Sequence, residues 1–139
     1  FFIKADHYFM KYKILIVDDE EGMLDLNCDV VQDEFNEIVE ITTAKNGLEA
    51  FVACQKETFN LIITDHRMPR LTGADFVASL KDMETYNKDT PVIFLSGYIP
   101  DINLEVPELG SLIFLDKPVD NDVFIKNIKS LIFNKLNAA

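Results

Sequence analysis

The sequence predicts an α/β domain in which helices cover both faces of a parallel β-sheet. Short apolar, β-branched runs alternate along the chain with segments in which apolar residues recur at helical spacing. The runs are almost continuously apolar, which is typical of parallel strands buried on both sides. The predicted strands are residues 13–17, 38–43, 60–65, 91–96 and 112–116. A chain of 139 residues suits one domain with a single core.

Apolar stripes predict helices between and after these strands. The stripes are Leu24, Cys28, Val31 and Phe35 in the first helix; Phe76, Val77, Leu80 and Met83 in the third; and Phe124, Ile128, Leu131 and Ile132 in the last, at about 120–136. The second helix is predicted to begin at Asn46, because Glu49 three residues later resembles a capping box. It is expected to carry Leu48 and Phe51 inward.

The segment between the fourth and fifth strands departs from this pattern. Pro100 and Pro107 bracket residues 101–106. Proline lacks an N–H donor and disfavours helix in the residue before it. The fourth helix is therefore predicted to be short or irregular, with one or two turns at most.

Charge and composition exclude several function classes. The net charge of −11 argues against direct nucleic-acid binding, which needs clustered lysine and arginine, and it is compatible with a divalent cation or a basic protein surface. No apolar stretch is long enough to cross a membrane. Cys28 and Cys54 match no metal-ligand spacing, and reduced thiols in the cytoplasm are favoured over a disulfide.

The aromatic N-terminus differs in composition from the rest of the chain. It does not begin with methionine and resembles no secretory signal, so Met10 is a candidate natural start. We expect residues 1–10 to be an N-terminal extension or a remnant of a longer sequence, and residues 11–139 to form the domain. A native extension that packs on the domain is the alternative.

Polar side chains stand at the carboxyl ends of four predicted strands. Asp18 and Asp19 follow the first strand, Asp65 ends the third, Ser96 ends the fourth, and Lys117 follows the fifth. In open α/β sheets, ligands bind outside the carboxyl ends of the strands, where the strand order reverses. The sequence therefore predicts one site that contains three carboxylates, a hydroxyl and an ammonium group.

Each of these residues also has an ordinary structural explanation. Asp18 and Asp19 could be acids that interact favourably with a helix dipole, and Asp65 could be a turn former. Ser96 could satisfy backbone groups, and Lys117 could be a solvated loop lysine. Because these explanations require four independent coincidences at neighbouring strand ends, a shared site is favoured.

The motifs together resemble the receiver domain of two-component response regulators. They are Asp18-Asp19, the segment 44–50, Asp65 with Met68-Pro69 and Gly73, Ser96 with Gly97, and Lys117-Pro118. Each motif is weak alone, but five in order, each at its own strand end, are specific. The similarity covers about residues 11–136. It implies a doubly wound five-stranded parallel sheet of flavodoxin-like order 2-1-3-4-5.

The resemblance also implies a chemistry for the carboxylates. Asp65 would accept a phosphoryl group from a histidine of a sensor kinase or of a phosphotransfer protein. Mg²⁺ would be bound by Asp65 and by Asp18 or Asp19, or both, with the backbone carbonyl of Arg67 as a further ligand. Such a protein catalyses its own phosphorylation and dephosphorylation but is not a classical turnover enzyme.

Three further roles follow from the same resemblance. Lys117 and Ser96 would contact the phosphoryl oxygens, the first as a point charge and the second as a hydrogen-bond donor. Phe114 matches a switch aromatic that moves together with the Ser96 hydroxyl, although a plain core phenylalanine is an equal alternative. His66 is expected to flank the site and face solvent, and metal ligation by it is disfavoured.

Two other functions remain as alternatives. A receiver-like interaction module that is never phosphorylated would bind partners regardless of Asp65. A phosphohydrolase of the haloacid dehalogenase type would need Asp-x-Asp after the first strand, whereas this chain has Asp18-Asp19-Glu20. In each case the expected location is the cytoplasm, with no membrane or nucleic-acid partner.

Overall fold

The five apolar runs form one parallel sheet in the computed structural model, which describes residues 10–82, 86–97 and 112–137. The strands are β1 (Tyr12–Val17), β2 (Val39–Ala44), β3 (Leu61–Asp65), β4 (Val92–Ser96) and β5 (Leu112–Asp116). Their spatial order is β2-β1-β3-β4-β5, and all neighbouring pairs are parallel. The predicted fold class and strand order are confirmed, and each predicted boundary lies within one residue of the observed one.

Four helices accompany the described strands. They are α1 (Glu21–Phe35), α2 (Gly47–Lys56), α3 (Gly73–Asp82) and the C-terminal helix (Asn121–Asn137), with a short 3₁₀ turn at Asn36–Ile38. The predicted capping of α2 is confirmed. The Asn46 side chain accepts a hydrogen bond from Glu49 N at 2.8 Å, and the Glu49 carboxylate accepts one from Lys45 N at 3.0 Å.

The sheet separates two apolar cores. On one face α2 and α3 pack against Leu15, Ile62 and Phe94, and on the other α1 and the C-terminal helix pack against Ile16 and Ile63. β3 and β4 are buried throughout, as expected for strands at the centre of a covered sheet. This layering leaves the strand ends as the places where polar side chains can gather.

The predicted orientation of α2 is partly wrong. Gly47, Ala50 and Cys54 are its buried residues, whereas Leu48 is 55% exposed. Small residues bring α2 close to the sheet, and Leu71 already occupies the space beside Gly47. Leu48 therefore points away from the core.

Several predictions fall outside the described residues. They concern residues 1–9, Met83, and the segment with Pro100 and Pro107, whose short or irregular helix stays a prediction. The division of the chain at residue 10 is likewise a prediction.

Both cysteines are free thiols, Cys54 fully buried and Cys28 partly so, and burial raises their pKa values to about 12 and about 11.

A buried asparagine ties two loops together at the amino ends of the central strands. The Asn87 amide donates to the carbonyls of Cys54 (2.9 Å) and Glu57 (2.8 Å), and its oxygen accepts from Phe59 N at 2.7 Å. Thr90 Oγ1 donates to Phe59 O and contacts Asn87 Oδ1, both at 3.1 Å. One side chain thus provides hydrogen-bond partners for backbone groups at the end of α2 and in the loop that leads into β3.

We expect Asn87→Ala to lower the free energy of unfolding by roughly 3 kcal/mol, because it leaves several buried backbone groups without partners. Denaturant unfolding at unchanged m-value measures the loss. Asn127→Ala is the matched control, since the Asn127 amide makes one exposed bond, to Val123 O. Equal losses in the two variants would contradict the proposed importance of Asn87.

Candidate functional site

Asp18 brings a buried carboxylate to the end of β1. Its backbone N–H donates to Ala44 O at 3.1 Å, which extends the pairing with β2 past the last strand residue. Its side chain is buried, with Oδ1 accepting from Glu20 N at 2.9 Å. The other oxygen, Oδ2, is buried and makes no hydrogen bond. Asp18 therefore offers one oxygen without a hydrogen bond to the space beyond the strand ends.

Asp65 is the second buried carboxylate and the last residue of β3. Its Oδ1 accepts from His66 N at 3.0 Å, and the same N–H lies 3.2 Å from Leu95 O of β4. The loop after Asp65 ends close to where it begins, because Gly73 N donates to His66 O at 2.8 Å. A Cβ on Gly73 would clash with the Asp65 carbonyl oxygen, so only glycine allows α3 to begin there.

Lys117 supplies the positive charge at this edge of the sheet. Its Nζ lies 2.9 Å from Asp65 Oδ1 and 3.8 Å from Asp18 Oδ2. Its backbone N–H donates to Ser96 O at 2.8 Å, which fixes the start of the loop after β5 against the end of β4. The peptide bond that follows, Lys117–Pro118, is cis. The ammonium group is thus held over both buried carboxylates.

Asp19 completes the group of carboxylates. Oxygen atoms of Asp18, Asp19 and Asp65 all lie within 4.8 Å of one another, and Asp19 is exposed to solvent. Hard oxygen donors at this separation suit Mg²⁺, which is usually bound by one or two carboxylates and keeps several waters. The free buried Oδ2 of Asp18 fits the same cation. The residues present therefore match the predicted magnesium site.

Burial and charge act in opposite directions on the Asp18 carboxyl. Its pKa is raised above the ordinary 3.8, chiefly because burial disfavours the charged form. The Glu20 N–H and Lys117 lower the pKa, whereas the carboxylates of Asp65 and Asp19 raise it. The hydrogen bond and the lysine therefore do not fully offset the burial of this carboxyl. A divalent cation would supply the missing positive charge.

The remaining predicted site residues lie as follows. Ser96 is buried at the end of β4, Arg67 is exposed in the loop after β3, and Phe114 is partly buried in β5. The Phe114 ring stacks on Phe94, with centroids 5.2 Å apart and planes 8° from parallel. Ser96 and Arg67 therefore flank the carboxylates, and Phe114 packs below them in the core.

His66 does not face solvent, contrary to the expectation from sequence. It is 6% exposed, and its Nδ1 is buried without a hydrogen-bond partner. Burial lowers the pKa of the imidazole, while the carboxylates of Asp65 and Asp75 raise it. No sequence pattern indicates this burial, because a histidine after a strand is as compatible with a loop surface as with a core.

The loop between β3 and α3 has a strained residue that sequence reasoning missed. Arg70 has φ of 71°, and Leu71 N donates to Pro69 O at 2.8 Å, which closes a three-residue turn around Arg70. A positive φ is uncommon for a residue with a side chain. The turn lets the chain pass from Asp65 to α3 in seven residues, 66–72.

A parallel sheet of order 2-1-3-4-5 with three carboxylates and a lysine at its carboxyl edge is the arrangement of a receiver-type α/β domain. The family model described as response regulator receiver domain matches residues 14–129. The chain belongs to this family, which acts in two-component signalling. The match is to receivers and not to the haloacid dehalogenase phosphohydrolases considered above.

Individual relatives agree with the family match. Sporulation initiation phosphotransferase F of Bacillus subtilis is 33% identical over 129 residues, 92% of this chain and 99% of that protein. Chemotaxis response regulator CheY4 of Vibrio cholerae has a TM-score of 0.75 and 30% identity, covering 87% of this chain and 98% of the other. Both similarities extend over nearly the whole domain.

Other relatives are longer than this chain. Transcriptional regulatory protein ZraR of Klebsiella oxytoca is 31% identical over 111 residues, 78% of this chain and 24% of ZraR. Probable transcriptional regulator ycf29 of Porphyra purpurea is 32% identical, and the chain spans 58% of its length. In the part of the chain that the structure describes, no helix has the length and apolar character needed to span a bilayer.

We expect Gly73→Ala to destabilise the protein by at least about 2 kcal/mol, because the new methyl group would meet backbone atoms of Asp65 and His66. Gly22→Ala is the matched control in α1, where a Cβ would meet nothing within 4 Å. The control should gain roughly 0.5–1 kcal/mol through helix propensity. Thermal or denaturant unfolding checks both, and a stabilised Gly73→Ala would refute the close approach.

A second expectation concerns pH and the charge on Asp18. A carboxyl with a raised folded-state pKa makes folding less favourable as pH rises above its ordinary pKa of 3.8. Asp18→Asn should therefore raise Tm by about 3 °C at pH 7 without divalent cations. The gain should vanish below the ordinary pKa, where Asp18 is protonated in both states. A gain that persists unchanged at low pH would contradict the electrostatic cause.

Proposed function

We propose that this domain is a phosphoacceptor in which Asp65 takes a phosphoryl group from a phosphohistidine donor in a Mg²⁺-dependent reaction. The observation that carries the proposal is the position of Lys117 Nζ, 2.9 Å from Asp65 Oδ1, beside a cluster of three carboxylates. A structural ion pair alone would not require the additional acids. Their presence beside a buried Asp18 oxygen that makes no hydrogen bond favours a cation site, and such a cation together with Lys117 would neutralise incoming negative charge.

In the proposed reaction, a carboxylate oxygen of Asp65 attacks the phosphorus of the phosphohistidine. A P–O bond forms, the P–N bond breaks, and the electron pair stays on the donor imidazole. Water later attacks the phosphorus, releases inorganic phosphate and restores the carboxylate. The hydrogen bond from His66 N to Asp65 Oδ1 orients the carboxylate for attack. Asp65 thus acts as the nucleophile.

The other residues provide positioning and charge. Lys117 shifts from its contact with Asp65 to the phosphoryl oxygens, and Ser96 donates a hydrogen bond to the same group. Asp18, Asp19 and Asp65, with the backbone carbonyl of Arg67, would hold Mg²⁺. When bound, the ion neutralises charge on the carboxylates and the phosphoryl group.

Phosphorylation is proposed to change partner binding through Ser96 and Phe114. Ser96 lies two residues after Phe94 on β4, so both side chains point to the same face of the sheet. Phe94 pairs with Phe114 in the register of β4 and β5, and the rings stack. A movement of Ser96 toward the phosphoryl group would therefore disturb a packed aromatic pair, and phosphorylation would favour whichever arrangement of that pair makes the better contacts with it.

Receiver domains interact with histidine kinases and with phosphotransfer proteins, and we propose one of these as the donor in the cytoplasm. No observation favours direct nucleic-acid or membrane binding, and the charge of −11 disfavours the former. The phosphorylated domain is proposed to act by binding a downstream protein or domain. An interaction module that is never phosphorylated would be favoured by an irregular fourth helix, but the segment with Pro100 and Pro107 lies outside the described residues. The phosphoacceptor therefore has the stronger support.

Incubation with Mg²⁺ and acetyl phosphate should add one phosphoryl group to the protein. Intact-mass measurement detects the gain, which we expect to disappear in Asp65→Asn and on removal of Mg²⁺ by a chelator. Lys117→Ala should slow labelling by roughly 100-fold or more. This is the usual effect of losing one charge-assisted contact to the transition state.

Asp75→Asn is the control for a change of charge near the loop, because Asp75 is an exposed residue of α3. It should label at the rate of the unsubstituted protein. Wild-type protein that stays unlabelled, or Asp65→Asn that labels equally, would rule out the proposed reaction.

A further inference from the structure

An apolar surface lies on the outer side of α2. Leu48 and Val52 are 55% and 50% exposed although both are large aliphatic residues. They are four residues apart, so they lie next to each other on successive turns. The helix buries Ala50 and Cys54 instead, so the fold does not need these two side chains for its core. Their exposure therefore leaves apolar surface that the core does not use.

The two side chains form one wall of a groove beside strand β2. The groove has a volume of about 480 Å³ and is also lined by Thr42 and Thr43 of the strand. β2 is an edge strand of the described sheet, next to β1 alone. We call Leu48, Val52 and the groove they share with β2 the α2 surface. It combines exposed aliphatic groups with a strand edge that can accept another chain.

The exposed charges beside Val52 allow two copies of the α2 surface to pair with each other. Glu49 and Lys56 flank Val52 and are both exposed, whereas Glu57, which also lines the groove, forms an ion pair with Lys13 at 3.6 Å. At about 100° per residue, Leu48, Glu49, Val52 and Lys56 fall within about 100° of one another around the helix. If two copies of α2 meet antiparallel about a two-fold axis near Val52, Glu49 of each copy lies opposite Lys56 of the other. An isologous contact requires this kind of symmetry.

The exposed charges of α1 are all acidic, in contrast to the mixed charges on α2. The exposed face of α1 carries Glu21, Asp25, Asp29 and Asp33 at intervals of four residues, and α1 contains no lysine or arginine. Two copies would repel each other there. In a protein of net charge −11, a balanced helix face is therefore a place where self-association is electrostatically permitted. The α2 surface also has the exposed apolar groups to drive it.

We propose that the α2 surface binds a second copy of this chain in an isologous dimer. The axis passes close to Val52, Leu48 and Val52 of both copies form the apolar centre, and two Glu49–Lys56 pairs lie at its margin. Glu49 Oε1 accepts from Lys45 N, so its carboxylate is held in place for this contact. The contact involves none of the site residues and does not depend on the proposed phosphoryl transfer.

The dimer should be weak. The surface is one helix face and a groove, which places it in the class of small, transient interfaces below about 1,200 Å². We therefore expect association in the micromolar to millimolar range, to be measured by sedimentation velocity up to about 1 mM protein. Val52→Glu, which puts a charge at the centre of the contact, should reduce association at least about tenfold.

Charge reversal tests the pairing itself. Lys56→Glu alone and Glu49→Lys alone should each be monomeric, because each places like charges in contact twice. An equimolar mixture of the two variants should restore association, since both pairs are then of opposite sign. Glu49→Lys also loses the bond to Lys45 N, so the Tm of each variant is measured to establish that it is folded.

Lys126→Glu, on the exposed side of the C-terminal helix, is the matched control and should associate like the wild type. Wild-type protein that stays monomeric at 1 mM, as for a surface reserved for a different protein, would overturn the proposal. So would single variants that associate as the wild type does, or a mixture of folded variants that stays monomeric.

Discussion

The structure depends on keeping three carboxylates and one ammonium group together at the carboxyl edge of the sheet. Asp18 and Asp65 are buried there, Asp19 is exposed beside them, and Lys117 contacts both buried acids. Like charges at this separation repel, and burial raises the pKa of Asp18. The arrangement is unfavourable for the isolated domain. It persists because the surrounding backbone fixes each residue independently of its charge.

That fixation comes from main-chain contacts between strand ends. Asp18 N bonds to the end of β2, His66 N reaches the end of β4, and Lys117 N bonds to Ser96 O. Each contact joins neighbouring strands of the 2-1-3-4-5 order, so the site is an outcome of the topology. Gly73 completes it, because α3 can begin against the Asp65 carbonyl only where no Cβ intervenes. Stability is supplied at the opposite edge, where Asn87 binds the loops that precede β3.

The sequence predicted the sheet and the site well because both follow from short-range patterns. Apolar runs ended by Asp18, Asp65 and Ser96 indicate strands and their carboxyl ends without knowledge of packing. Orientation within an element was less predictable. Leu48 was expected inward and is exposed, and His66 was expected outward and is buried. Both depend on how closely neighbouring elements approach, which one residue type does not encode.

Arg70 and Asn87 show a further limit on what could be predicted from the sequence. Neither is a preferred residue for its place: Arg70 has a positive φ that glycine or asparagine adopts more easily, and Asn87 lies buried in a loop. Their conformations are imposed by the ends of the loop or by backbone groups distant in sequence. Leu48 differs from both, because close packing of α2 excludes it from the core and leaves its aliphatic side chain exposed. An exposed aliphatic side chain that the core does not use is a place to look for an interaction beyond the fold.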